Sequence, residues 1–157
     1  MKTPFDSSAA LKQFDDFIFS MSDQIEGLES LAEESEFDLQ VDIVCLDTLE
    51  RLFDVLAPVT ADIETKNGMI VTFGRYLGEI FRTAYGGKWT VFLENEKDIN
   101  FNQPVIVRGS EVDAAFAPLS VVRAYALRRK SGTLSRAVRG QIDFHPVNLE
   151  KLIEPKR

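Results

Sequence analysis

Between Asp62 and Tyr85 the chain repeats Ile63, Ile70, Phe73, Leu77, Ile80, Phe81 and Ala84 at the spacing of one helix face, and it sets Gly74 and Gly78 four apart inside that face. Each glycine costs a helix about 1 kcal/mol relative to alanine. That cost makes sense where another backbone must come close. The segment is therefore expected to be the central helix of the fold, with Gly86 and Gly87 as its C-terminal stop. Arg75, Glu79 and Arg82 lie one turn apart on it, so Glu79 is expected to be a partly buried carboxylate paired with arginine along a single face.

The segments before it also read as helices. Ser7 or Ser8 can cap a helix in which Leu11, Phe14, Ile18, Met21, Ile25, Leu28 and Ala32 step by three and four. This spacing predicts one long amphipathic helix with Asp15, Asp16, Asp23, Glu26, Glu29 and Glu33 on its other sides. Asp42 can cap a second helix carrying Leu46, Leu49, Phe53 and Leu56, which Pro58 stops. Cys45 lies beside that stripe among acidic neighbours, which suits a small core residue better than a nucleophile.

After Gly87 the period changes. Lys88 to Leu93 alternates, Ile99 and Phe101 read as a short second strand, and Asn102 to Pro104 turns into Val105, Ile106 and Val107. An antiparallel meander is expected, and a sheet this small needs a helix on one face. Pro118 fits the first turn of a further helix with Leu119, Val122, Tyr125 and Ala126 inward and Gly132 at its end. A short helix through Leu134 and Val138 follows, and Val147, Leu149, Leu152 and Ile153 offer a last docking turn. The expected class is α+β in one domain, 1–157: long N-terminal helices and a central helix on a small antiparallel sheet, closed by C-terminal helices.

The charge is divided along the chain. Residues 1–64 hold sixteen acidic side chains against Lys2, Lys12 and Arg51, whereas residues 65–157 hold fifteen basic and nine acidic ones. The two parts carry about −13 and +6 of the net −7. Asymmetry of this kind bears on fields and partners rather than on fold. Arg123, Arg128, Arg129, Lys130, Arg136 and Arg139 form a basic segment with no acid between Asp113 and Asp143. An acidic whole with no aromatic ladder beside those arginines disfavours nucleic acid, and the plainer role for the segment is to offset the acidic half.

Known catalytic patterns do not emerge. His145, the single histidine, has no cysteine near it, no metal-ligand spacing is present, and neither Gly109-Ser110 nor Gly86-Gly87-Lys88 completes a phosphate loop. No metal and no cofactor is expected. A lone cysteine, the absence of a secretory pattern at the N-terminus and the lack of an apolar run of about 18 residues point to a cytoplasmic setting without membrane insertion.

The string Gly74-Arg75-Tyr76-Leu77-Gly78-Glu79, followed by Gly86-Gly87-Lys88-Trp89, resembles a helix-to-strand signature of small uncharacterised bacterial cytoplasmic proteins, some of them associated with contact-dependent or secreted toxin systems. The similarity covers about residues 38 to 130. It implies a folding role, with glycines for close packing, Gly-Gly to end the helix and Trp89 covering the core beside Glu79. It implies no catalytic residue.

Together these features suggest a non-catalytic, immunity-like protein that occludes a basic partner such as a cognate toxin. Asp15, Asp16, Glu26, Glu33, Glu34, Glu36 and Asp38 would steer and pair with it, and Phe17, Phe19 and Phe37, off the apolar stripe, would serve as anchors. Two rivals stand beside this reading. One is a ligand-binding protein or enzyme whose pocket is lined by Arg75, Glu79, Arg82 and Trp89; the other is a nucleic-acid-associated factor using the segment 123–139.

Overall fold

Asp62 accepts a hydrogen bond from the backbone N–H of Thr65 at 2.7 Å, a helix cap that holds its carboxyl below the ordinary range. From this cap the longest helix of the protein runs unbroken. The computed structural model describes residues 4–109 and 115–143, in the order α1 (Ser7–Phe19), α2 (Met21–Glu34), a 3₁₀ turn (Ile43–Cys45), α3 (Leu46–Leu56), α4 (Ile63–Tyr85), β1 (Lys88–Val91), β2 (Pro104–Val107), α5 (Pro118–Arg128) and α6 (Thr133–Asp143). Helix α4 is central: α2, α3, α5 and β2 all pack against it. Its Phe73, Tyr76, Leu77, Ile80 and Phe81 are fully or almost fully removed from solvent. The class is α+β, with helices on a two-stranded antiparallel sheet.

The two glycines of α4 admit different neighbours. A methyl group at Gly74 would lie 2.7 Å from Leu119 Cγ and 3.1 Å from its Cα, so the start of α5 is the close backbone. At Gly78 a methyl group would overlap Cζ2 and Cη2 of the Trp89 indole. There the close neighbour is a side chain. Trp89 pairs with Ile106 in the β1–β2 ladder, and the indole laid on Gly78 fixes the sheet against α4. Gly86 ends the helix at φ 81°, where an L side chain is strained.

Several sequence-based expectations need correction. The N-terminal helix is two helices, capped by Asp6 rather than Ser7 or Ser8 and broken at Ser20. The Ser20 backbone N–H makes the last ladder bond of the first helix, to the Asp16 carbonyl, and the Ser20 hydroxyl donates to that same carbonyl, the back-bonding by which a serine bends or ends a helix. The break resets the inward face: Phe17 is buried against Trp89 at 5.1 Å, while Leu11 and Ile18 of the predicted stripe are exposed. Ile63 and Ala84, near the two ends of α4, also face solvent. Ile99, 91% exposed, belongs to no strand, and Phe101 forms one isolated bridge with Phe92, so the sheet has two strands and no three-stranded meander.

Helix α5 stops at Arg128, before Gly132. Arg129 is the residue that turns out of the helix, at φ 52°. Its side chain holds it in that conformation. The guanidinium donates to the carbonyls of Ala126 (2.9 Å) and Ala57 (2.7 Å), pairs with Asp54 at 3.1 Å and lies over the Phe53 ring. The readings made for His145 and for the tail from Pro146 lie outside the described residues.

The glycine contacts give opposite expectations for one substitution type. Gly78→Ala is expected to destabilise the protein by about 1–3 kcal/mol, because Trp89 must shift off α4. Gly27→Ala, where nothing lies within 4 Å, should stabilise α2 by about 0.4–1 kcal/mol. Urea denaturation of the two variants measures both.

Candidate functional site

Residues of α4, β1 and the turn between them form a connected set of bonds. Glu79 accepts from Trp89 Nε1 at 2.7 Å and from Arg82 Nη1 at 2.9 and 3.2 Å, and Arg82 Nε donates to the Gly87 carbonyl at 3.1 Å. One carboxylate thus ties the indole to the helix while one arginine ties the helix to the Gly-Gly turn. Arg75 does not join them, contrary to the expected Arg75–Glu79 pairing. It reaches Ser20 Oγ at 3.4 Å and lies over the Phe17 ring at 4.4 Å, bracing the break between α1 and α2. Burial lowers its pKa from the ordinary arginine value, and its Nε is buried without a hydrogen-bond partner among the described residues.

Beside Trp89 an open groove of about 540 Å³ is walled by Phe14, Ile18, Phe19, Met21 and Trp89, with Asp15, Arg82 and Lys88 at its margins. Of the four residues expected to line a pocket, Arg82 and Trp89 line this groove. Glu79 instead borders a smaller neighbouring hollow with Glu26. The sequence assigned Phe14, Ile18 and Met21 to the core. Phe14 and Met21 are half-buried and pack against the core as expected while also lining the groove, and Ile18 is exposed.

The seven predicted acids are all exposed. They do not form one patch. Glu33, Glu36 and Asp38 gather with Glu29, Phe37 and Leu39 around a concavity of about 430 Å³ at the C-terminal end of α2. Asp15 lies on the groove instead, and Asp16 pairs with Lys12 at 3.6 Å on the open surface. No basic residue stands in the last turn of α2, although its helix dipole is negative there. Of the three proposed aromatic anchors, Phe17 is core and Phe37 packs half-buried against it; Phe19 alone stands free, 92% exposed.

The basic segment divides in the same way. Arg129 is consumed by the packing of α5 on α3, whereas Arg123, Arg128, Lys130, Arg136 and Arg139 are exposed. The segment offsets the acidic half at Asp54 only, and no ion pair joins it to the acids of α2 among the described residues.

Three carboxylates hold elements together: Glu50 and Asp54, which the sequence reading passed over, and Glu29, which it placed on the polar side of the first helix. Glu50, 3% exposed, accepts the backbone N–H of Gly132 and of Leu134, both at 2.9 Å, and so caps the start of α6 from across the core. Its signal was present: Glu50 falls within the apolar spacing of α3, between Leu46 and Phe53. Glu29 accepts from Tyr76 Oη at 2.7 Å and Asp54 accepts from Tyr125 Oη at 2.9 Å. Burial first, and then these carboxylates, push both phenol pKa values well above the ordinary value.

No protein-family model, curated protein or solved structure matches this chain.

Among the described residues no helix is long and apolar enough to cross a membrane, and no group of three or more His, Cys, Asp or Glu side chains is placed to hold a metal ion.

Two measurements test these roles. Glu50→Ala orphans two N–H groups at the start of α6 and should cost about 2 kcal/mol or more in a denaturant titration. The phenols set an alkaline limit: the folded protein holds their protons more tightly than the unfolded chain does. Their contribution is complete below about pH 10, the unfolded tyrosine value, and is lost as pH rises above it. Tyr76→Phe should therefore flatten the decline of stability measured at alkaline pH.

Proposed function

We propose that the protein is a non-catalytic binding domain that neutralises a basic protein partner by occlusion, an immunity-like role in which the partner is a cognate bacterial toxin. The observation that carries this reading is the concavity at the end of α2. Three exposed carboxylates, Glu33, Glu36 and Asp38, surround it beside Glu29, which is bonded to Tyr76, and the adjoining helix terminus adds partial negative charge. Like charges gathered at the wrong end of a helix dipole cost stability, and a lysine or arginine arriving from outside would relieve that cost. Glu34, exposed at the same end of α2, adds to the field. Steering by such a field raises association rates by about 10 to 1,000-fold and weakens with salt.

The rival built on Glu79 loses its reactive group in this arrangement. A carboxylate engaged by Trp89 and twice by Arg82 is occupied with structure.

Immobilised protein should retain a single basic protein from a lysate of the native host and release it in a salt gradient. Reversing Glu33, Glu36 and Asp38 to lysine together should abolish that retention while leaving the circular dichroism spectrum unchanged. Retention that survives the reversal, or recovery of nucleic acid alone, would overturn this reading.

A further inference from the structure

Helix α1 covers its buried side with Ala10 and Phe17 but leaves Phe19 in solvent at the edge of the groove beside Trp89. The groove is apolar along its walls and charged at its margins, and the two signs come from different elements. Asp15 stands on α1; Lys88 stands at the start of β1. Neither makes an ion pair among the described residues. Arg82, the other charge at the margin, already serves Glu79 and Gly87.

That pattern restricts what can cover the groove. A uniformly basic partner would meet Lys88 and a uniformly acidic one would meet Asp15. The surface calls for an occupant bearing an apolar projection together with charges of both signs. A second copy related by a two-fold axis carries these by construction, because an isologous contact sets residue i against j and j against i. We propose that this groove is the interface of a homodimer, in which Phe19 of each copy enters the groove of the other and each Asp15 pairs with the partner subunit's Lys88. The contact shields from water the one large aromatic side chain of α1 that the monomer leaves bare. It is independent of the basic-partner reading, since the acidic concavity at the end of α2 is lined by a different set of residues.

Sedimentation velocity over a wide concentration series tests the proposal on the full chain. Wild type should pass reversibly from monomer to dimer. The emission of Trp89, the single tryptophan, should shift to the blue over the same range as the groove dries. Phe19→Asp, Asp15→Lys and Lys88→Glu each alter an exposed side chain, and each should weaken self-association by at least about tenfold with an unchanged circular dichroism spectrum. The deciding experiment mixes Asp15→Lys with Lys88→Glu: every charge contact in the mixed dimer is again attractive, so the two monomeric variants should form a heterodimer. A wild type that stays monomeric throughout, a Phe19→Asp variant that still dimerises, or a mixture of folded variants that does not associate would each overturn it.

Discussion

The contact between Trp89 and α4 organises this protein. A sheet of two short strands has too little apolar surface to be stable alone and must be held against something else. Here one indole provides the hold. Its six-membered ring sits where Gly78 leaves room, it meets the Phe17 ring of α1 at an interplanar angle of 71°, and its N–H is satisfied by Glu79. Burying an indole without a partner for its N–H would forfeit much of what its area contributes. The carboxylate is in turn oriented by Arg82, whose other donor grips the Gly-Gly turn. Helix, turn and strand are thereby fixed in one geometry by four side-chain and backbone groups.

Most of the helical framework was legible in the sequence. The α4 stripe, its stop at Gly86, the start of α5 at Pro118 and the inward pair Leu134 and Val138 follow from spacing and from the special backbone of glycine and proline. The errors concentrate where side chains bond to backbone. Ser20 breaks a helix whose apolar period continues across it, and Arg129 takes a left-handed turn because its guanidinium finds acceptors on α3 and on the loop after it. Neither event leaves a periodic trace. The aromatic anchors follow from the face that α1 buries, which carries Ala10 and Phe17 and leaves Ile18 and Phe19 outward.

The acids show a similar limit. Counting charges located an excess on the first 64 residues but could not separate carboxylates that serve the fold from those that face solvent. Glu50, Asp54 and Glu29 carry the same charge as Glu33 or Asp38, yet they are spent on backbone amides, an arginine or a phenol. What separates them is the partner supplied by a distant element. For Glu50 the hint lay in its position within the apolar stripe. For Asp54 and Glu29 the partners Tyr125 and Tyr76 stand 71 and 47 residues away, and no local pattern joins them.

The cap that Glu50 places on α6 also bears on how the chain comes off the ribosome. Its two donors are 82 and 84 residues downstream, so the carboxylate on α3 has no amide to accept until nearly the whole described chain has been made. During synthesis α3 and α4 can pair early, being neighbours in sequence. The start of α6 thus takes its cap from a residue made at least 82 positions earlier, and the bond between the two helices can form only once both are present.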